Sequence, residues 1–156
     1  MSAIDEAYRK YSIERFPLPR EAQLEALERD INVTFPEDYR RFVLQYNGGY
    51  FNEPAIRPVD DGCPLESLSM LYGIGASHEE AELGDPASLS LFEENDPPIA
   101  VPIGDTGTGG LILIHVEAEG AGRIFLKQAF GDFFYLADGI EEFFGLLYDP
   151  PWGEES

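Results

Sequence analysis

Cysteine and histidine are nearly missing from this chain, with one of the former and two of the latter in 156 residues. Cys63 has no intramolecular partner, so a disulfide framework is excluded and the thiol reads as a passive one in a reducing compartment. Basic residues are scarce too. Ten Lys and Arg stand against thirty Asp and Glu, for a formal charge of −20 and a pI near 4.1. Nucleic acid requires a basic footprint, so direct binding to it is not expected. No stretch reaches the roughly 18 apolar residues of a membrane span, and the start MSAIDEAYRK has neither an apolar run nor a cleavage site. The chain therefore reads as cytoplasmic, with no membrane contact.

What is abundant is apolar material. Hydrophobic residues make up 44% and aromatics 13%, enough to build a packed core despite the charge. The length suits one domain. The charge is unevenly spread: residues 1–50 hold nine acids and seven bases, whereas residues 51–156 hold twenty-one acids against Arg57, Arg123 and Lys127. Such a surplus repels itself in a compact state, and it serves either solubility or the capture of a cationic partner.

Periodicity sets the elements. Leu24, Leu27 and Ile31 recur on one face of a helix over 21–31. In FPEDYRRFVLQYNGG, Pro36 suits a helix start, Glu37 and Asp38 complement the dipole, Tyr39, Phe42, Val43 and Tyr46 form the apolar face, and Gly48 supplies a left-handed cap. Residues 50–64 read as loop, broken by Pro54, Pro58, Gly62 and Pro64. A short strand is expected around 68–72. Ser77 with Glu80 predicts a short helix towards Gly84, and residues 85–98 read as a helical turn with an acidic, proline-ended loop. Four runs, 99–103, 111–116, 123–128 and 133–137, read as antiparallel strands. Gly120 and Gly122 fit a hairpin turn between the second and third, and Gly131 with Asp132 between the third and fourth. A closing helix over 138–148 carries a capping box of Asp138 and Glu141 and an apolar stripe of Ile140, Phe143, Phe144 and Leu147. In the tail, Trp152 is a candidate anchor. Helices at both ends of a run of strands predict an α+β domain with a mixed or mainly antiparallel sheet.

The residues offer little chemistry. His115 sits in a predicted strand with Leu111 and Leu113 on the same alternating face, the setting of a half-buried structural histidine. His78, in SHEEAE, reads as solvated. A Cys63–His–Asp site would have to assemble in space, and nothing local builds one. Neither C-x-x-C, H-E-x-x-H nor a calcium loop occurs, so no metal or other cofactor is expected. The glycine cluster IGDTGTGG precedes a strand-like run rather than a helix and has no lysine, so it reads as a strand-to-strand turn and not a phosphate loop. Adjacent acids such as Asp60 and Asp61 on glycine- and proline-rich loops read as a solvated charged face.

Three segments, FPEDYRRFVLQYNGGY (35–50), IAVPIGDTGTGGLILI (99–114) and FFYLADGIEEFFGLLY (133–148), together resemble the SUKH superfamily. That superfamily includes bacterial toxin-immunity proteins and the yeast Smi/Knr-type regulators of cell-wall synthesis. The first segment is the most specific, through Asp38, Tyr39, Phe42 and Asn47-Gly48-Gly49. The second is similar to the family's P-I-G turn, at Pro102, Ile103 and Gly104, although TGTGG departs from the more usual Gly-Asp or Gly-Asn pair. The resemblance spans 18–148, leaving 1–17 as an N-terminal extension and 149–156 as an acidic tail.

The resemblance implies an α+β domain without catalytic residues, and the expected role is that of an immunity protein. Its partner would be a cognate bacterial toxin, a basic nuclease domain being the expected kind. The alternative is an intracellular scaffold like the yeast regulators. The contact is expected among Asp60, Asp61, Glu66, Glu79, Glu80, Glu82, Glu93, Glu94 and Asp96, with Phe51 or Phe92 as an aromatic anchor. A small enzyme built on Cys63 or His115 is the remaining reading.

Overall fold

The computed structural model describes residues 3–60, 62–75, 83, 100–116, 121–128 and 133–149. The chain begins with a helix, α1 (Ala3–Tyr11), in which Ile4, Ala7, Tyr8 and Tyr11 fall at i, i+3, i+4 and i+7 and are all buried. Asp5 and Glu6 in its first turn and Arg9 and Lys10 in its last match the helix dipole. Although the sequence resemblance begins at residue 18, α1 is thus part of the same core. It leads into β1 (Ser12–Glu14), followed by α2 (Glu21–Ile31) and α3 (Glu37–Gln45). Both later helices have the expected extents. The Gln23 side chain accepts the Arg20 N–H at the start of α2, and Asn32 closes it in the left-handed conformation. Pro36 is the residue just before α3, one position earlier than anticipated.

The strands are β2 (Gly49–Phe51), β3 (Ala55–Ile56), β4 (Glu66–Leu71), β5 (Ala100–Thr106), β6 (Leu111–His115), β7 (Ile124–Lys127) and β8 (Phe133–Ala137). They are followed by α4 (Ile140–Phe144) and β9 (Leu147–Tyr148). They form one sheet in the order β1-β2-β4-β5-β6-β7-β8, with β3 lying between β4 and β9. Every described pairing is antiparallel. From β5 to β8 the sheet is a meander with short connections, whereas the neighbours β4 and β5 are joined through residues 72–99. Ile112, Ile114, Ile124, Leu126 and Leu136 turn to the helix side and join its core. His115, Phe125 and Tyr135 lie on the opposite face, their rings 6.4 and 6.1 Å apart in sequence.

Two regions depart from expectation. Residues 50–64 contain β2 and β3, because β4 supplies a ladder for both: Tyr50 pairs with Met70, and Ala55 with Ser67. Pro54 falls between these strands rather than within either, so it removes no ladder donor. The closing helix stops at Phe144, and Leu147–Tyr148 pair with β3 instead. Its N-cap is Gly139, and the expected capping box is absent. Asp138 instead accepts the Tyr135 hydroxyl at 2.7 Å, while Glu142 accepts the Asp138 N–H at 2.9 Å and Glu141 accepts that of Ala3 at 2.8 Å. The predicted helix near Ser77–Gly84 and the segment 85–98 lie outside the described residues, apart from Leu83, whose N–H reaches the Gly73 carbonyl. The tail carrying Trp152 and the turn glycines 120 and 131 lie outside them as well.

The motifs behind the resemblance are joints of this fold. Asn47, fully buried, donates from Nδ2 to the Pro17 and Ile74 carbonyls at 2.6 and 2.8 Å and accepts the Ile74 N–H at 2.8 Å. It therefore ties the end of α3 to the chain before α2 and to the chain after β4. At Gly49, whose φ is +133°, a Cβ would lie 2.2 Å from the Glu14 carbonyl oxygen. Only glycine lets β1 approach here. In the P-I-G segment the β5–β6 register shifts between Pro102 and Gly104, so Ile103 is the extra residue of a bulge next to the proline that lacks an N–H. The Tyr8 ring packs with Phe42, Tyr46, Phe51 and Phe144 at centroid distances of 4.7 to 6.3 Å, joining α1, α3, β2 and α4.

Candidate partner-binding surface

The anticipated acids divide sharply. Asp60 is exposed on the β3–β4 connection, and its Oδ2 accepts the Tyr135 N–H at 2.8 Å, fastening that connection to the edge strand β8. Glu66 is only 6% exposed, its carboxylate turned inward to accept the Thr108 hydroxyl at 2.7 and 2.8 Å. Asp61, Glu79, Glu80, Glu82, Glu93, Glu94 and Asp96 lie outside the described residues. Phe51 is buried in the aromatic core and presents nothing to a partner, and Phe92 also lies outside the description.

The described carboxylates beyond residue 50 share a pattern that sequence could not reveal. Glu53 accepts the Ser67 hydroxyl at 2.9 Å, and Asp138 the Tyr135 hydroxyl at 2.7 Å. Asp149 takes the Tyr11 hydroxyl at 2.9 Å, and Glu141 and Glu142 take backbone N–H groups. A neutral donor satisfies an oxygen without cancelling its charge. Two of these acids also stand near a cation, Asp138 at 3.9 Å from Arg123 and Asp149 at 3.7 Å from Lys10. In the N-terminal third, by contrast, Arg40 pairs with Glu28 at 3.2 Å and Glu21 at 4.0 Å, Arg41 with Glu37, and Arg9 with Glu6. Two further bases lie over rings, Arg57 4.7 Å from the Tyr148 centroid and Lys127 5.8 Å from that of Phe133.

The local fields follow. The hydrogen bond to Asp138, first, and then partial desolvation push the Tyr135 phenol up to about 12. Burial holds Asp105 up at about 6, against a weaker downward pull from the Tyr72 hydroxyl at 3.5 Å. Burial, then the charges of Asp60 and Glu66, raise the Cys63 thiol, the opposite of what activates a nucleophile. His115 is half-buried edge-on to Phe125. Among the described residues no group of His, Cys, Asp and Glu is arranged to hold a metal ion, and no helix is long and apolar enough to cross a membrane.

The glycine cluster is a turn between strands. Thr106 Oγ1 accepts the Gly110 N–H at 2.9 Å, the Gly107 N–H reaches the Ser67 carbonyl, and Thr108 holds Glu66. The polar residues of TGTGG thus bond within the fold.

Residues 18–145 match the family model described as SMI1 / KNR4 family (SUKH-1). The chain belongs to that family. A protein of Bacillus subtilis (strain 168) described as "SPbeta prophage-derived uncharacterized protein YokK" is similar to it, 23% identical over 172 residues that cover 95% of this chain and 86% of that protein. No solved structure matches. The SUKH-1 match begins after α1 and β1, yet Tyr8 of α1 donates its hydroxyl to Gly48 in the family's Asn-Gly-Gly segment at 2.9 Å.

Proposed function

We propose that this SUKH-1 chain is an immunity protein that neutralises a basic bacterial toxin domain, most plainly a nuclease, by offering it an anionic surface. Family membership supports this class of role, since the SUKH superfamily includes toxin-immunity proteins. The observation that carries the reading is the surplus of negative charge beyond residue 50: its described carboxylates are held mainly by hydroxyl and amide donors, which order an oxygen without cancelling its charge. A nuclease must keep a positive cleft for phosphate, and an ordered anionic surface competes for that cleft or for its rim. Opposite potentials raise association to about 10⁸–10⁹ M⁻¹s⁻¹ at low salt from roughly 10⁵–10⁶. Speed has value when the target must be caught before it cuts.

In this reading the chain is cytoplasmic, performs no catalysis and needs no cofactor. Raising the Cys63 thiol agrees with that, because the thiolate is the reactive form. The test is affinity purification of the tagged full chain from its source cells, with the co-purifying protein identified by mass spectrometry and its toxicity measured with and without the chain. A basic toxin domain that the chain silences is the expected result. Recovery of a signalling or cell-wall protein instead would move the chain to the scaffold role.

A further inference from the structure

We propose that Asp60 guards the open edge of the sheet, keeping β8 from pairing with the β8 of a second copy of this chain. The inference concerns the chain by itself and is independent of the partner assigned above. Strand β8 is the last in the sheet order, with no described strand beyond it. The Tyr135 N–H bonds the Asp60 carboxylate at 2.8 Å, so it points away from β7 although Tyr135 stands opposite Phe125. Backbone groups alternate along a strand, and the register from Tyr135 to Phe133 is regular, so the Phe133 N–H points outward as well. Outward donors and acceptors of this kind are a template for another strand.

The edge suits its own copy. In an antiparallel pairing about a two-fold axis at Tyr135, the N–H and C=O of each Tyr135 would meet those of the other. The strand reads FFYLA, without charge or proline, and Phe133 is 55% exposed. An apolar strand at an open edge is prone to association unless the chain blocks it.

The described residues supply the block. Asp60 occupies the place where the carbonyl of a second strand would accept the Tyr135 N–H, and its negative charge repels a carbonyl oxygen brought there. The connection that carries Asp60 is itself fastened: the Arg57 N–H reaches the Leu146 carbonyl at 2.9 Å, the Cys63 N–H reaches the Asp60 carbonyl at 3.2 Å, and Gly62 between them has φ +79°. Further along, Ile124 and Phe125 stand opposite Ala137 and Tyr135, so Leu136 is the extra residue of a bulge that ends the regular ladder. Lys127 places its ammonium 5.8 Å from the Phe133 ring centroid, a cation beside the exposed aromatic. Among these features, Asp60 is the one that takes a hydrogen-bonding group of the edge out of use.

The test is sedimentation velocity of the full chain over about a hundredfold range of concentration in about 0.5 M NaCl, where repulsion between two chains is screened within about 4 Å. Asp60→Ala, which removes the acceptor, is compared with Asp30→Ala, which removes the same charge from an exposed position of α2. A third variant, Asp60→Ala/Phe133→Pro, removes the outward Phe133 N–H at the first residue of β8 without touching the ladder to β7. The unaltered chain, Asp30→Ala and the double variant should stay monomeric, while the mass of Asp60→Ala rises with concentration towards twice that value. In dilute Asp60→Ala the Tyr135 amide should also exchange at least about tenfold faster than in the unaltered chain, and slow again as the dimer forms. Monomeric Asp60→Ala at every concentration would overturn the guard. So would association of Asp60→Ala that Phe133→Pro fails to suppress, because a misfolded chain would still aggregate, or equal association of Asp30→Ala. An unaltered chain that already dimerises, and that Phe133→Pro returns to monomer, would show the edge to be open and overturn it as well.

Discussion

Asn47 shows how much one polar side chain can hold. Its amide uses both donor and acceptor in the dry interior, and its own backbone is left-handed, with φ +56°. Asn47→Ala removes three hydrogen bonds and leaves buried carbonyl and N–H groups unsatisfied, so a loss of about 3 kcal/mol or more is expected by urea denaturation. A loss under about 1 kcal/mol would mean that water replaces the amide. Asp105 offers a second test. Because burial raises it from 3.8 to about 6, the folded chain keeps a proton that the unfolded chain releases between those values. Its contribution to stability therefore falls as pH rises through roughly 4 to 6, and its penalty is complete at neutrality. Asp105→Asn should flatten the difference between the urea midpoints at about pH 4.5 and 7 and add on the order of 1 kcal/mol at pH 7, a figure reduced because the group is partly exposed. Parallel pH curves for the two proteins would contradict this.

At the scale of elements, α4 is the least self-sufficient piece. Five residues cannot sustain a helix by propensity, so Phe143 and Phe144 must hold it through packing. Phe144 touches the Tyr8, Phe42 and Phe51 rings, and Phe144→Ala should cost about 3–5 kcal/mol, measured as a lower denaturant midpoint with α1 amides losing exchange protection in parallel. The same contrast between local and tertiary signals governs what could be read from sequence. Helices α2 and α3 and strands β5 to β8 carry their own periodicity and punctuation, so their places were legible. Helix α1 has its own spacing in Ile4, Ala7, Tyr8 and Tyr11, although no helix is among the sequence-based expectations for residues 3–11. Strands β2, β3 and β9 have two or three residues each and exist only because β4 and one another supply partners. Of the candidate site, the identity of Asp60 was legible, whereas the inward turn of Glu66 and the burial of Phe51 depend on neighbours far away in sequence.

For the molecule as a whole, the surplus of charge is the property most open to measurement. Among the described residues, the carboxylates beyond residue 50 are ordered mainly by hydroxyl and amide donors, and most ion pairs lie in the N-terminal third. That division leaves a long-range negative field acting on anything basic that approaches. A field of this kind acts on association rather than on dissociation, because it is felt before contact and is screened within about 10 Å at 0.1 M salt. The decisive measurement is the association rate constant between the full chain and its toxin domain, followed by stopped flow from about 20 to 500 mM NaCl. The rate constant should fall at least about tenfold across that range with a much smaller change in dissociation. An association rate indifferent to salt would contradict the claim that uncancelled carboxylates bring the partner in.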